Sequence, residues 1–209
     1  MKKIVFVSLM MADDMKKRQY PVDGNALIEY QEEVYYAINA VLAKTMKTGD
    51  NIKIILVETK AGDKAGIINA QKFKNELDQI NNKMNINATI TYESVPSDFI
   101  VSRDKLNDLY LKLIKELDYD AQLFADISFG PKTLTLLIMA AMQFGEKFFN
   151  CSIGNVIYLK AEFKAHELVE GTQLICDCTS LYLLNSFTNT IEAASGEIAT
   201  KSVEVLLKD

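Results

Sequence analysis

A buried strand, a tight turn and a helix follow one another over residues 121–145, and this stretch constrains the fold more than any other. The strand is predicted over 121–127 and the helix over 132–145. Gly130 lets the backbone turn without the steric penalty of a Cβ atom. Pro131 suits the first turn of a helix, because the N–H that it lacks has no partner there. A strand joined to a helix by so short a turn is typical of α/β proteins with a parallel sheet.

The same turn carries groups that attract anions. Ser128 and Thr133 bring hydroxyls to the helix N-terminus, where free backbone N–H groups and the helix dipole favour negative charge. Lys132 adds a full positive charge. The stretch is neither a Walker A loop nor a G-x-G-x-x-G dinucleotide turn. The pattern indicates a phosphate-facing turn, and an N-capped crossover with a solvated lysine stays open as the alternative.

The remaining elements alternate between apolar runs and helical periods. We predict strands over 4–9, 52–58, 87–95, 155–163 and 173–177, with Pro96-Ser97-Asp98 ending the third, and helices over 27–46, 66–83, 103–117, 179–194 and 197–208. The connection between the last two strands is too short for a crossover helix, so these strands are expected to be antiparallel. The predicted fold is α/β: a Rossmann-like, doubly wound, six-stranded and mainly parallel sheet with an antiparallel edge pair and helices on both faces. Residues 1–195 would form this domain, and 196–209 a short C-terminal amphipathic segment.

Composition limits the classes of function. A net charge of −5 and a pI near 5.1 argue against binding to long nucleic acids, but not against a small anion in a local pocket. No apolar stretch is long enough to span a bilayer, and the N-terminal run is too short for a secretion signal, so we expect a soluble, cytoplasmic protein without membrane contact. Neither a Ser–His–acid set nor a metal-ligand spacing is found, and no cofactor is expected. His166 is expected at the surface, and Cys151, Cys176 and Cys178 are expected as buried, reduced thiols.

The position of a ligand site follows from the expected topology. In doubly wound sheets, ligands bind at the carboxyl ends of the strands where the strand order reverses. If the strands 4–9 and 121–127 are central neighbours, Ser8 lies beside the 126–133 turn. The helix 132–145 is apolar nearly all round, which predicts burial against the sheet on one side and a second subunit on the other. The loop 10–24 is expected to be a mobile lid over the site.

The 126–133 turn carries a resemblance to a known family. Asp126-Ile127-Ser128-Phe129-Gly130-Pro131-Lys132-Thr133, followed by a small and apolar helix, resembles the Asp-x-Thr/Ser-x-Gly-x-Lys signature of CARF (CRISPR-associated Rossmann fold) domains. The strand ending in Ser8-Leu9, the long loop to Tyr20 and the overall length fit the same family. The resemblance implies a homodimer that binds one cyclic oligoadenylate, a tetra- or hexa-adenylate, across its two-fold axis. In that family the ligand is the second messenger that type III CRISPR complexes make on detecting foreign RNA.

The resemblance also implies roles for individual residues. Lys132, Gly130, Ser128 and Thr133 would hold phosphate or ribose, and Ser8, Leu9 and Met10 would line the pocket. Phe129 would lie at the pocket floor, and Asp126 would brace the turn by accepting backbone hydrogen bonds. Thr59 and the 94–98 segment would border the adenine bases.

Three functions remain open at this point. The chain is expected to be a sensor or regulator of antiviral defence that acts with an effector, either separate or fused. Alternatively it is a ring nuclease, in which the ribose 2′-hydroxyl attacks its own phosphodiester without a metal and Lys132 and Ser8 are the candidate catalytic residues. The third alternative is a nucleotide-binding metabolic enzyme on the same architecture.

Overall fold

The computed structural model describes residues 1–9, 15–60, 65–98, 102–165, 167–193 and 195–206. Strands and helices alternate along the chain, with a single 3-10 turn at Ala26–Ile28. In chain order they are β1 (Lys2–Ser8), β2 (Val22–Asp23), α1 (Ala37–Thr45), β3 (Asn51–Lys60), α2 (Ala65–Lys83), β4 (Thr89–Asp98), α3 (Arg103–Lys115), β5 (Gln122–Asp126), α4 (Lys132–Phe149), β6 (Ser152–Lys160), β7 (Phe163–Lys164), β8 (Glu167–Leu168), β9 (Leu174–Asp177), α5 (Thr179–Thr190) and α6 (Gly196–Leu206).

The main sheet has the order β4-β3-β1-β5-β6-β9-β2. Neighbouring strands are parallel except for β6 and β9, which pair in antiparallel register. The α/β class, the mainly parallel sheet and the antiparallel pair are therefore confirmed. The strand count is wrong: the sheet has seven strands, not six, because β2 pairs with the outer side of β9. Two residues are too few to show a strand period in the sequence.

The crossovers place the helices in two layers. The chain moves from β1 to β3 and β4 in one direction and then returns to β5 and β6 in the other. Right-handed crossovers then place α1 and α2 on one face and α3 and α4 on the other. The contacts agree, since α1 packs against α2 and α3 packs against α4.

Alternate residues of the central strands point to the two opposite faces of the sheet, each covered by one layer of helices. Val5 and Val7 of β1 belong to the core cluster that includes the buried residues of α1 and α2. Ile4, Phe6 and Ser8 point to the opposite face, since successive side chains of a strand alternate. All five of these residues are buried. Both faces of the central sheet are thus covered, as the continuous apolar run predicts.

Two predicted elements have different bounds. The helix expected over 27–46 begins only at Ala37, because Val34 exchanges backbone hydrogen bonds with Arg18 and the chain before the helix is extended. The strand β4 continues through Pro96 to Asp98 and does not end there as predicted. It lies at the edge of the sheet, where proline is tolerated because one row of N–H groups has no strand to bond.

The described part of the predicted lid is packed against the domain. Tyr20 is buried, and its hydroxyl donates to the Tyr35 carbonyl oxygen at 3.1 Å. The Arg18 guanidinium donates two hydrogen bonds of 2.9 Å to the Glu170 carboxylate. Residues 15–24 are therefore a strap fixed to the fold, which corrects the prediction of a mobile loop over this part. Residues 10–14 of the predicted lid lie outside the described residues.

The C-terminal region forms a separate compact unit. Residues Met1–Thr179 make one unit, which holds the sheet and the helices α1 to α4, and Ser180–Asp209 make the other. A short antiparallel hairpin of β7 and β8 precedes β9 in the first unit. Within the described part of the chain, no helix combines the length and the apolar character needed to cross a bilayer.

Candidate functional site

The carboxyl ends of β1 and β5 meet at the point where the strand order reverses. β1 pairs with β3 on one side and with β5 on the other. The predicted central pair is therefore present, and Ser8 lies beside the 126–131 turn. This is the crevice in which doubly wound sheets bind ligands.

Ser8 ties the end of β1 to the turn after β5. Its buried hydroxyl donates to the Phe129 carbonyl oxygen at 2.6 Å and accepts from the Phe129 N–H at 3.2 Å. The Asp126 carbonyl oxygen lies 3.2 Å from the same hydroxyl. The protein itself thus uses both the donor and an acceptor site of Ser8, so this residue shapes the turn.

Asp126 and Ser128 brace the turn against the neighbouring strand. Asp126 Oδ1 accepts from the Ser128 N–H at 2.9 Å and from the Ser128 hydroxyl. The hydroxyl in turn accepts from the Leu159 N–H of β6 at 2.8 Å. Asp126 therefore accepts the backbone bond that bracing requires, while the Ser128 hydroxyl is engaged on both sides and would have to change partners to contact a ligand.

The chain repeats this brace at the end of β9. Asp177 Oδ1 accepts from the Thr179 N–H at 3.0 Å and from the Thr179 hydroxyl, which accepts from the Val156 N–H at 3.0 Å. Here the second oxygen is also satisfied, since Asp177 Oδ2 accepts from Asn25 Nδ2 at 2.8 Å and Asn155 Nδ2 at 3.2 Å. The spacing Asp-x-Ser/Thr after a strand was a sequence signal for both braces, and the second one was missed.

Asp126 differs from Asp177 in its second oxygen. Asp126 Oδ2 is buried and has no hydrogen-bond partner within the described ranges. Burial raises the pKa of Asp126 to about 6, against the hydrogen bonds from Ser128 and the Ile38 N–H, which lower it. A carboxyl group of this kind at the strand crossover point is a feature that the sequence did not reveal.

Phe129 and Gly130 occupy the bend itself. The Phe129 ring packs against the core and lies edge-on to Tyr36, with ring centroids 6.4 Å apart. The Phe129 ring therefore anchors the turn to the hydrophobic core. Gly130 has φ +85°, and a Cβ at this position would approach Leu134 Cδ2 to 3.1 Å and Thr59 Oγ1 to 3.9 Å. The backbone conformation requires glycine, and the bend lies next to β3 as well as β1.

The N-terminus of α4 is open to a ligand. No side chain caps it, and Pro131 occupies the N-cap position. Lys132 is exposed and forms no ion pair with any described acidic residue, while Thr133 is half-buried in the same turn. Free N–H groups, the helix dipole and an unpaired lysine together attract an anion.

Side chains of the protein hold the backbone just before α1 and cap the N-terminus of α3, whereas α1 itself, like α4, has no side-chain cap hydrogen bond. The Glu76 carboxylate of α2 accepts from the Tyr35 N–H at 2.7 Å and the Tyr36 N–H at 3.2 Å, just before α1. Burial raises the pKa of Glu76, although these bonds and one from Asn39 lower it. Ser102 caps α3 by accepting from the Lys105 N–H. Glu76 interrupts the apolar face that Phe73, Leu77 and Ile80 form on α2. This was the available sequence signal for its hydrogen bonds to the backbone before α1, and it was overlooked.

The remaining predicted site residues fall into three groups. Thr59 is buried near Gly130, and its hydroxyl has no hydrogen-bond partner in the described part of the chain. Leu9 belongs to the core cluster and donates its N–H to the Val57 carbonyl oxygen, so its side chain packs inside the domain. Met10 lies outside the described residues, as does His166, which was expected at the surface and not in the site. The predicted site thus comes together around Ser8, Thr59 and the 126–133 turn.

The three cysteines were expected to be buried, reduced thiols. Cys151 is buried, as predicted, whereas Cys176 and Cys178 are half-exposed, because the last strand lies near the edge of the sheet; all three are free thiols. In the regions that the structure describes, no three His, Cys, Asp or Glu residues are grouped so as to hold a metal ion.

Comparison of the chain with models of known protein families and with curated proteins finds no match.

Proposed function

We propose that the protein is a cyclic oligoadenylate-binding sensor of type III CRISPR antiviral defence. The observation that carries the proposal is the open N-terminus of α4 at the strand crossover point, with the unpaired Lys132 and the Gly130 bend beside it. At α3, by contrast, the N–H of Lys105 in the first turn is taken by the Ser102 hydroxyl. A phosphate of the messenger binds at α4, where backbone N–H groups and a full positive charge coincide.

The shape of the messenger explains why two copies of the chain take part. A cyclic tetra- or hexa-adenylate has two-fold symmetry, and an isologous dimer presents two equivalent helix N-termini to it. Leu136, one turn into α4, is 67% exposed in the single chain. A large apolar side chain at this position suits a subunit interface next to the phosphate site.

The second alternative, a nucleotide-binding metabolic enzyme, is less well supported for enzymes that use a dinucleotide. Such enzymes bind a pyrophosphate at the helix that follows the first strand. In this chain the buried Glu76 carboxylate holds the backbone at the start of α1, and a negative charge there opposes phosphate binding.

The first alternative, a ring nuclease, depends on Lys132 and Ser8. The Ser8 hydroxyl is committed to the backbone of Phe129, which leaves Lys132 as the candidate free to face a phosphodiester. Binding needs no more than this one charge and the helix N-terminus, whereas cleavage also requires alignment of an attacking hydroxyl. We therefore favour a sensor.

Calorimetry with cyclic tri-, tetra- and hexa-adenylate tests the proposal. The unmodified protein is expected to bind one ring per dimer, and Lys132→Ala is expected to bind at least tenfold more weakly. Each lost charge-assisted contact is worth about 1.5–3 kcal/mol, and the two-fold site loses two of them. Lys147→Ala, at the other end of α4, is the matched control and should bind like the unmodified protein.

Absence of binding to all three rings would overturn the proposal. Equal affinity of Lys132→Ala would show that the phosphate lies elsewhere. Chromatography of the incubated ligand separates sensor from ring nuclease, because a sensor returns the ring intact. A metal-independent nuclease would release fragments ending in 2′,3′-cyclic phosphate and 5′-hydroxyl, with no effect of EDTA.

A further inference from the structure

The Asp126 carboxyl group lies at the end of β5, between the turn that leads to α4 and the layer of α1 and α2. Asp126 is fully buried, and its Oδ2 has no hydrogen-bond partner among the described residues. Asp126 pairs in register with Val7, which belongs to the core cluster formed with α1 and α2, so its side chain points toward that layer. A full negative charge at this place is shielded from water and only partly stabilised by hydrogen bonds, which makes it costly.

The titratable and charged groups of this region come from α1, α2 and the strap: Tyr36, Glu76, Tyr20, Lys17 and Arg18. Burial raises the pKa of Tyr20 to about 12 and also raises that of Tyr36, so both phenols stay neutral. The negative charges of Asp126 and Glu76 act on both tyrosines in the same direction. The two basic side chains act on Tyr20 and on Glu76, whereas hydrogen bonds lower the pKa of Asp126. Two buried carboxyl groups thus share one region of the protein.

The turn joins the Asp126 carboxyl group to the proposed phosphate site. Asp126 Oδ1 accepts hydrogen bonds from the N–H and the hydroxyl of Ser128, and α4 begins at Lys132 in the same 126–133 turn. A phosphate at the α4 N-terminus and an ionised Asp126 are therefore two negative charges on either side of one short turn. Their repulsion is screened little by salt, because one of the two charges is buried.

We infer that Asp126 couples binding of the anionic messenger at α4 to the uptake of a proton from solvent. The ring binds tightly when the Asp126 carboxyl group is neutral and weakly when it is ionised, so Asp126 sets the pH range of the sensor. The inference rests on the proposed function, because it describes how that same site is regulated. Since the two binding events are linked reciprocally, a bound ring also increases the affinity of Asp126 for its proton.

Calorimetry with cyclic tri-, tetra- and hexa-adenylate between pH 5 and pH 8 tests the coupling. The pKa of Asp126 is about 6 in the folded chain, so its carboxyl group is mostly neutral at pH 5 and mostly ionised at pH 8. Repulsion between unit charges about 10 Å apart is expected to weaken binding by the unmodified protein about twofold to fifteenfold per protomer over this range. Asp126→Asn keeps an acceptor for Ser128 and cannot ionise, so its affinity, whatever its absolute value, should not change with pH.

Two control variants should retain the pH dependence of the unmodified protein. Asp177→Asn removes the carboxyl group that makes the same brace at the end of β9. His166→Gln removes the single histidine of the chain, because histidine side chains ordinarily titrate in this range. The phosphodiester groups of the ring keep their charge throughout, so the change in affinity comes from the protein.

Calorimetry in two buffers with different ionisation enthalpies counts the protons directly. At pH 6.5 the unmodified protein should take up a fraction of a proton per protomer on binding, and Asp126→Asn should take up none. Binding without proton uptake and with equal affinity from pH 5 to pH 8 would overturn the inference and leave the proposed function standing. An equal pH dependence in Asp126→Asn would do the same and would assign the effect to Glu76. No binding to any ring at any pH by the unmodified protein would overturn both.

Discussion

At the residue scale, Thr59 has a buried hydroxyl in the crevice that is expected to oppose stability and, in the proposed function, to contribute to ligand binding. Its hydroxyl is shielded from water and unpaired within the described residues, and an unsatisfied buried polar group costs about 1–3 kcal/mol. We expect Thr59→Val, which keeps the shape and removes the hydroxyl, to leave the free energy of unfolding unchanged or to raise it by about 1 kcal/mol. The same variant should bind cyclic oligoadenylate more weakly than Thr59→Ser. Urea unfolding and calorimetry on both variants measure the two effects; a less stable Thr59→Val would show that the hydroxyl has a partner in the free protein.

Asp126 predicts a pH dependence of stability with a defined sign. Its pKa is about 6 in the folded chain, against an ordinary value of 3.8, so the folded state holds the proton more tightly. The stabilising contribution is complete below pH 3.8 and is lost as the pH rises through 6. The loss amounts to about 3 kcal/mol at 1.36 kcal/mol per pKa unit. Asp126→Asn cannot ionise, so its stability relative to the unmodified protein should rise between pH 4 and pH 7.

Asp177 is the matched control for that experiment, because it makes the same turn. Burial opposes the shift, but hydrogen bonds from Thr179, Asn25 and Asn155 outweigh it and lower the pKa of Asp177. Its contribution to stability is therefore present above pH 3.8 and is lost as the pH falls through the folded-state pKa. Asp177→Asn should show a constant penalty between pH 4 and pH 7 and a shrinking one below. Parallel pH profiles for the two variants would contradict the assignment.

Asp126 and Asp177 show which properties of a single residue can be predicted from the sequence and which cannot. The Asp-x-Ser/Thr spacing is visible in both places, and the bracing role of Asp126 followed from its place at a strand end. The second oxygen of Asp177 accepts hydrogen bonds from Asn25 and Asn155, and these residues approach Asp177 only in the folded chain. Which aspartate stays unsatisfied is therefore a tertiary property.

At the scale of elements, α4 carries the prediction of a dimer. Its buried side faces the domain through Leu134, Ile138 and Met142, while Leu136 is exposed. We expect the unmodified protein to sediment as a dimer at micromolar concentration without ligand, and Leu136→Glu to sediment as a monomer, because a buried unpaired charge is costly. Leu111→Glu on α3 is the control and should remain dimeric. A monomeric unmodified protein would exclude this use of α4.

Elements with a strong internal period were predicted well, and those held by distant contacts were not. The amphipathic pattern of α3 and the buried run of β1 are local properties of the sequence. The extended segment before α1 has helical composition, yet Glu76 of α2 and Arg18 of the strap hold its backbone outside the helix. The two-residue strand β2 exists because β9 offers it a partner.

For the whole molecule, the α/β class and the mainly parallel sheet could be predicted because the chain alternates regularly between strands and helices. The pairing of β1 with β5 was only a condition of the site prediction, and the structure has this pair, which brings Ser8 to the 126–133 turn. The hydrogen bonds that hold the backbone before α1 could not be predicted, since their acceptor Glu76 lies on α2. The proximity of Ser8 to the 126–133 turn was thus predicted correctly, but which of these groups are free depended on the folded structure.

The hydrogen bond between Ser8 and Phe129 has a consequence for the order of folding. Its two residues are 121 positions apart, so the crevice cannot exist until β1 and β5 have paired across more than half of the chain. Contacts of such long range form slowly and late. A ligand that binds only the finished crevice stabilises the native state and leaves the earlier barrier unchanged. We therefore expect saturating cyclic oligoadenylate to slow unfolding in stopped-flow denaturant jumps by a factor that grows with ligand concentration, with the refolding rate unaltered. Faster refolding with ligand would instead show that the messenger acts as a template around which the two halves of the sheet assemble.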